Sequence, residues 1–150
     1  MVNTIRHIAL VVPDLRSAEE YYQTLFSMEL LGRETKLEDG EWYQIPIDKG
    51  WEETEIAGIE IKMLALRKDS IVIALFLGDD VTGQVFSIGL TVSKPTILEV
   101  GSQLPSDVKL LLDQEDRLHF IDRYGIMWQL ELPEREFTMN GVANDRWLEM

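Results

Sequence analysis

Hydrophobic and polar positions follow a similar pattern in two stretches of the chain, one near its start and one just past its middle. The first is IRHIALVV at residues 5–12, and the second is VFSIGLTV at residues 85–92. Apolar runs of this length, bounded by turn or cap residues, predict buried strands. Because the two stretches resemble each other, the chain is interpreted as a duplicated module.

A helical pattern follows each of these strands. Asp14 can cap the first helix, whose apolar positions recur three and four residues apart at Leu15, Ala18 and Tyr22. In the second half, Pro95 suits the first turn of a helix, and a weaker pattern continues as far as residue 104. Each half therefore begins with a strand that leads into a helix.

Three further apolar runs in each half predict three further strands. They lie at about residues 29–36, 59–67 and 70–77 in the first half and at about residues 107–112, 118–122 and 126–132 in the second. The order of one strand, one helix and three strands occurs twice, so the sequence predicts an α+β fold made of two βαβββ modules. The modules are assigned to residues 1–80 and 81–133, and residues 134–150 form a tail.

Two segments have no counterpart in the other half. Residues 37–56 are an acidic insertion that carries Trp42, Tyr43 and Trp51, and it is predicted to be a loop or a short extra hairpin. The tail is apolar near its end, at Trp147, Leu148 and Met150. Those residues suit packing either across a dimer axis or onto their own subunit.

The two opening strands have different residues on their two faces, since side chains alternate along a strand. Ile8, Leu10 and Val12 are large and apolar, and they suit contact with the helices. The opposite face carries smaller or more polar residues, including His7 and Ser87. A sheet covered by helices on one side only, with such residues on the other, leaves a concavity able to hold a ligand.

Composition narrows the classes of function. The chain has 150 residues, of which 45% are hydrophobic and 27% charged, which fits one globular domain. It has 27 acidic and 14 basic residues and a formal net charge of −13, which disfavours nucleic acid and anionic membranes as partners. No cysteine is present, so disulfides, thiolate metal sites and cysteine nucleophiles are excluded. With no leader-like or membrane-spanning run, the protein is expected to be cytoplasmic.

The repeat and two motifs resemble the vicinal oxygen chelate superfamily, which includes glyoxalases, bleomycin resistance proteins and extradiol dioxygenases. The first motif is HIALVVPDL at residues 7–15, followed by Ala18 and a tyrosine pair, and the second is FIDRYGIMWQL at residues 120–130. The second motif is also similar to the PhnB-like branch. The resemblance implies paired βαβββ modules that form a curved mixed sheet around a cleft, and a homodimer.

The same resemblance implies only part of a metal site. In metal-using relatives a divalent cation lies between the first and last strands of each module, and His7 and Gln129 match two of its ligands. Ser87 stands where a histidine is expected, and residues 73–76 offer no acid. Because metals in enzymes generally hold three or more imidazole or carboxylate ligands, no cofactor is expected.

The first predicted function is therefore a metal-independent protein that binds a small organic molecule in its cleft. Its predicted contacts are His7, Ser87, Gln129, Trp42 and Trp51. The acids around the two tryptophans suit a cationic or aromatic ligand, through stacking and charge pairing. The same two tryptophans also suit a structural role at a sheet edge or a dimer contact, and that role is favoured.

The alternative function is a metal-dependent lyase, epimerase or dioxygenase. Its metal would be held by His7, Gln129 and an acid, either Glu131 or Glu60. The metal would polarise adjacent oxygens of a substrate while a carboxylate moves a proton.

Five further residues are assigned structural roles. His119 has no evident partner in the sequence and is interpreted as structural. Asp122 and Gly125 are expected to form the last turn, where a glycine tolerates positive φ. Glu19 and Glu20 fall in the first helix, and no catalytic role is assigned to them.

Overall fold

The computed structural model describes residues 2–79, 85–123, 125–135 and 146–150. These residues form nine strands and three α-helices, so the predicted α+β class is confirmed. The strands are β1 Val2–Val12, β2 Glu29–Lys36, β3 Trp42–Gln44, β4 Met63–Lys68, β5 Ile71–Leu77, β6 Val85–Val92, β7 Lys109–Gln114, β8 Arg117–Ile121 and β9 Met127–Glu131. The helices are α1 Leu15–Phe26, α2 Trp51–Ile56 and α3 Lys94–Gln103, with a short 3₁₀ helix at Pro133–Arg135. None of the helices within these described ranges is long and apolar enough to cross a membrane.

The chain forms two compact units whose boundaries differ from those of the predicted modules. Unit 1 comprises Met1–Ala9 and Val85–Glu136, and unit 2 comprises Leu10–Gln84 and Phe137–Met150. The first nine residues of the chain therefore belong to the same unit as the strands of the second half. The predicted boundary at residue 80 and most of the predicted tail lie outside the described residues.

Unit 1 is a mixed sheet with one helix on its apolar face. Its strand order is β1-β6-β9-β8-β7. Strands β6 and β9 are parallel, whereas β9, β8 and β7 pair antiparallel. Helix α3 begins after Ser93, whose hydroxyl accepts from the Thr96 amide, and proline occupies its first turn as predicted. The helix packs on a buried core that includes Val92, Leu118 and Leu130.

Unit 2 has the strand order β3-β2-β4-β5-β1, with α1 packed on one face. Asp14 caps α1 as predicted, since its carboxylate accepts from the Ser17 amide at 2.9 Å. Leu15 of α1 is buried in the core cluster, and Leu10 and Val12 of β1 pack against it. The helix-facing side of β1 is thus the side that the sequence predicts.

The insertion contains a helix that the sequence analysis does not predict. Residues 37–56 include β3, which pairs with β2, and also helix α2. The Gly50 amide donates to Glu53 Oε2 at 2.8 Å, which fixes the start of this helix. A helix of six residues that is rich in glutamate is too short and too polar to show an amphipathic pattern in the sequence.

The predicted start of the next strand is wrong for a related reason. Strand β4 begins at Met63, not near residue 59. The Ile59 amide donates to the Thr54 carbonyl at 2.9 Å, so this stretch completes the turn after α2 before the strand begins. Glu60 therefore precedes the strand in which it was predicted to lie.

The end of the tail pairs with its own chain. The Gln44 amide donates to the Arg146 carbonyl at 2.8 Å, and the Leu148 amide donates to the Gln44 carbonyl at 2.7 Å. These bonds extend unit 2 beside β3. Of the three apolar residues named in the tail, Leu148 packs against the core of unit 2, whereas Trp147 and Met150 are exposed.

Candidate functional site

The face of unit 1 opposite α3 is polar and buried. Cross-strand register places Gly89 beside Gln129 and Thr91 beside Glu131, and His119 lies beside Gln129 on the other flank. Thr91 and Glu131 are buried. Because cross-strand partners point to the same side of a sheet, these residues share one face.

Five side chains form a connected network, called here the polar cluster: Arg6, His7, His119, Gln129 and Glu131. Arg6 Nη1 donates to His7 Nδ1 at 3.0 Å, and Arg6 Nη2 lies 3.3 Å from Glu131 Oε2. His119 Nε2 lies 2.9 Å from Glu131 Oε1. The Gln129 side chain hydrogen-bonds His7. The polar cluster brings together three predicted site residues, His7, Gln129 and Glu131.

The protonation state of His7 follows from its partners. A guanidinium group only donates hydrogen bonds, so Nδ1 of His7 accepts and the ring proton lies on Nε2. Burial of the imidazole, reinforced by the positive charge of Arg6, lowers the pKa of His7 to about 3. The ring is therefore neutral at physiological pH.

Glu131 is the negative charge of the polar cluster. Burial raises the pKa of this carboxyl, but the hydrogen bond with His119 and the charge of Arg6 outweigh burial, and the net pKa lies below the ordinary value. An ionised carboxylate only accepts hydrogen bonds, so His119 Nε2 is the donor. His119 therefore has a partner that the sequence does not reveal.

Two buried oxygens on this face have no hydrogen-bond partner among the described residues. They are Thr91 Oγ1 and Glu131 Oε2. Arg6 approaches the second of these as an ion pair without hydrogen-bond geometry. Because buried polar atoms in native proteins are nearly always hydrogen-bonded, both atoms are suited to bind a polar molecule.

A glycine makes room for the His7 ring. A Cβ atom at Gly89 would overlap His7 Nδ1 and Cε1, so any larger residue at this position would displace the imidazole. Gly89 is not among the residues singled out from the sequence. The contact depends on two strands that are far apart in the chain, so no local signal indicates it.

The other predicted site residues differ in their placement. Ser87 is buried in β6 of unit 1. Trp42 lies in unit 2, where its ring packs edge-on against Phe76 and Lys36 Nζ lies 5.7 Å from its centroid. Glu60, also in unit 2, is exposed and lies 3.8 Å from the Lys62 ammonium.

The role predicted for Asp122 is confirmed. Its carboxylate accepts from the Ile126 amide at 3.1 Å and from Trp128 Nε1 at 2.9 Å. The Gly125 amide donates to the Asp122 carbonyl, and Gly125 has a φ of 82°. Asp122 thus stabilises the turn before β9 and helps to position the strand that carries Gln129.

Trp51 belongs to a second group of polar contacts around a buried carboxylate, called here the Glu19 cluster: Glu19, Arg33 and Trp51. Arg33 Nη2 donates to Glu19 Oε1 at 2.7 Å, and Trp51 Nε1 donates to Glu19 Oε2. The Arg33 guanidinium lies 5.1 Å from the centroid of the Trp51 ring. The Glu19 cluster therefore connects α2 of the insertion to α1 and β2.

The polar cluster does not fit a divalent metal ion. A histidine ligand must offer a ring lone pair and a carboxylate ligand must be free to approach the ion. Here Nδ1 of His7 accepts from Arg6 and its other nitrogen carries the proton, while Glu131 Oε1 interacts with His119 and Glu131 Oε2 lies 3.3 Å from Arg6. The fixed positive charge of Arg6 would also repel a cation. Across the part of the chain that the structure describes, no group of three or more His, Asp or Glu residues is arranged to hold a metal.

No protein-family model matches the chain, and comparison with curated protein sequences finds no match. Solved structures do match its fold. Methylmalonyl-CoA epimerase from Mycobacterium tuberculosis aligns with a TM-score of 0.52 and 15% identity, over 88% of this chain and 89% of that chain. A methylmalonyl-CoA epimerase in complex with methylmalonyl-CoA and NH4+ aligns with a TM-score of 0.54 and 16% identity, over 89% of this chain and 100% of that chain.

A third similar structure is a hypothetical protein from Bacillus halodurans C-125. It aligns with a TM-score of 0.53 and 13% identity, over 86% of this chain and 93% of that chain. At sequence identities this low, structural similarity shows only that the fold is shared. The chain has the vicinal oxygen chelate fold, as the sequence resemblance implies.

Proposed function

We propose that this protein is a member of the vicinal oxygen chelate superfamily that binds a small polar organic molecule on the polar face of unit 1, without a resident metal. The likeness in fold to methylmalonyl-CoA epimerase supports the superfamily. The observation that carries the proposal is the position of the Arg6 guanidinium, which contacts both His7 and Glu131.

Arg6 supports a metal-free site because it supplies a fixed positive charge beside the two residues that could hold a cation. His7, Ser87 and Gln129 remain proposed ligand contacts on this face. Thr91 Oγ1 and Glu131 Oε2 join them, since each is a buried oxygen without a hydrogen-bond partner among the described residues.

Metal analysis of purified untagged protein tests the metal-free part of the proposal. We expect less than stoichiometric manganese, iron, nickel and zinc, and no change in thermal stability after exhaustive chelation. One equivalent of a divalent metal that disappears in His7→Ala would contradict this part and would favour a metal-dependent epimerase, lyase or dioxygenase.

The binding part of the proposal is tested by Thr91→Val, which keeps the side-chain shape and removes the hydroxyl. If that hydroxyl serves a ligand, its loss should leave the ligand-free protein as stable or more stable by about 0.5 kcal/mol. Denaturant unfolding measures this change. The matched control is Thr96→Val, where the buried hydroxyl lies 2.9 Å from Ser93 Oγ and its loss should cost about 1 kcal/mol. A comparable loss of stability in both variants would indicate that Thr91 serves folding alone.

Three finer features belong to the same proposal. The similarity of FIDRYGIMWQL to the PhnB-like branch supports a place in that branch. The superfamily resemblance supports a homodimer, which sedimentation analysis would test. A cytoplasmic location also belongs to the proposal, and cell fractionation would test it.

A further inference from the structure

A cavity of about 350 Å³ lies in unit 2, where the start of α1, helix α2 and the chain before β4 meet. Its volume falls within the range of small-molecule sites. Apolar side chains that include buried Leu15 and Ile61 line it, together with Trp51, Ile59 and Leu77. These residues would bury the apolar part of a ligand.

The rim of this cavity is negatively charged. Asp14, Glu55 and Glu60 are exposed acids that line it, against a single base, Arg16. Glu60 forms only a loose ion pair, at 3.8 Å, with half-buried Lys62. Charges held at the mouth of an apolar cavity attract a ligand of opposite sign more strongly than the same charges on an open surface.

The aromatic wall of the cavity is fixed before any ligand binds. Trp51 Nε1 donates to buried Glu19, and Glu19 is held in turn by Arg33 at 2.7 Å. A side chain that is already immobilised loses little conformational entropy on binding. Because the Arg33 guanidinium already lies 5.1 Å from the centroid of this ring, Trp51 contributes apolar contact to the wall and the acidic rim supplies the attraction for a charge.

We propose that this cavity binds a small organic cation with an apolar or aromatic body. The apolar wall buries the body of the molecule, and the acidic rim pairs with its charge. An anion would meet three carboxylates, and a neutral molecule would gain only from the apolar wall. This site is separate from the polar face of unit 1 and does not depend on the function proposed there.

Three probes of similar shape test the choice of ligand class. They are phenethylamine, which is charged at neutral pH, neutral 2-phenylethanol, and anionic phenylacetate. We expect the amine to bind about tenfold more tightly than the alcohol, and the acid to bind most weakly. NMR titration of the Trp51 indole N–H signal measures binding at this site. Equal affinity for the three probes, or no response to any of them at millimolar concentration, would overturn the proposal.

Single substitutions of glutamate by glutamine, at two rim positions and one matched control position, test the acidic rim. Glu55→Gln should weaken amine binding about threefold and leave 2-phenylethanol binding unchanged, and Glu60→Gln should act in the same direction. The control is Glu52→Gln, because Glu52 is exposed on the same helix and does not line the cavity. All three residues are exposed, so thermal unfolding should confirm that the fold is retained. If Glu55→Gln and Glu52→Gln have the same effect, the rim does not select the charge and the proposal fails. Thr91→Val should not affect probe binding, which separates this test from that of unit 1.

Discussion

Each unit of this protein contains an arginine beside a buried glutamate, and a ring N–H hydrogen-bonds that glutamate. In unit 2 the network is almost complete. Glu19 accepts from Arg33 through one oxygen and from Trp51 through the other. Within the Glu19 cluster, the one buried side-chain atom without a hydrogen-bond partner among the described residues is Arg33 Nε.

The corresponding network in unit 1 is less complete and contains titratable rings. Glu131 Oε1 interacts with His119 at 2.9 Å, but Glu131 Oε2 has only the ion pair with Arg6 at 3.3 Å. Thr91, beside it in the sheet, also has an unpaired hydroxyl. A satisfied buried network makes a fold rigid, whereas unpaired buried groups mark a place where binding can add hydrogen bonds. This difference favours a structural role for the Glu19 cluster and supports the ligand-binding role proposed for the polar cluster.

The largest expected effect is the loss of Glu19. Glu19→Ala would leave the Arg33 guanidinium buried without its counter-charge and Trp51 Nε1 without its acceptor. Breaking a buried ion pair from one side typically destabilises a protein by about 3 kcal/mol or more. Urea denaturation followed by tryptophan fluorescence measures the free energy of unfolding.

The control for this prediction is Glu20→Ala, one residue further along the same helix. Glu20 is exposed, so its loss should change stability by less than about 0.5 kcal/mol. Similar values for the two variants would remove the distinction between the two networks, since Glu19 would then contribute no more than a surface residue.

A smaller effect is expected from Gly89→Ala in unit 1. The new methyl group would overlap the His7 ring and displace it from Arg6, at a cost of about 2 kcal/mol. Nitrogen-15 chemical shifts of the His7 ring should change as the Arg6 hydrogen bond is lost.

The matched control is Gly101→Ala, within α3 of the same unit. A Cβ atom there would lie 3.9 Å from Leu118 Cδ2, which is an ordinary contact. Alanine favours a helix interior over glycine by up to about 1 kcal/mol, so this variant should be neutral or more stable. If both variants are tolerated equally, His7 is not held against β6 in the way described.

The pH dependence of stability should distinguish the two networks least strongly. The pKa of His7 is about 3 in the folded chain, against an ordinary value of 6.5. Below pH 6.5 the unfolded chain takes up a proton that the folded chain does not, so the free energy of unfolding falls as the pH falls. The slope from this group is at most about 1.4 kcal/mol per pH unit. The lowered pKa of Glu131 acts in the same direction below about pH 4.5.

His7→Gln removes this titration and keeps an acceptor for Arg6. Between pH 6.5 and 5 the slope should be clearly reduced in this variant and unchanged in Glu20→Ala, as measured by urea denaturation at several pH values. An unaltered slope in His7→Gln would show that the ring is not buried in its neutral form.

Much of the fold was predictable because the relevant signals are local. Alternation and apolar runs indicated β2, which was predicted at residues 29–36 and found at Glu29–Lys36. The Asp14 cap indicated the start of α1, and the Asp122 turn indicated the approach to β9. Helix α2 was missed, because it depends on one contact between Gly50 and Glu53 and on packing of Trp51 against Glu19.

The candidate site was predictable only in part. The motif resemblance led to His7 and Gln129, and their hydrogen bond places them together. Arg6 was not identified, because strict alternation along β1 places it on the face opposite His7, whereas its guanidinium contacts both His7 and Glu131.

Residue type and spacing along the chain were thus sufficient for the α+β class, the duplicated order of elements and the acidic surface. These properties depend on local conformational preference and on total charge. The partners of Arg6, His119 and Trp51 were decided only when distant strands and helices came together, because a hydrogen bond or an ion pair depends on distances that the order of residues does not specify. For the same reason, whether a buried carboxylate supports the fold or serves a ligand depends on which of its oxygens the folded chain satisfies.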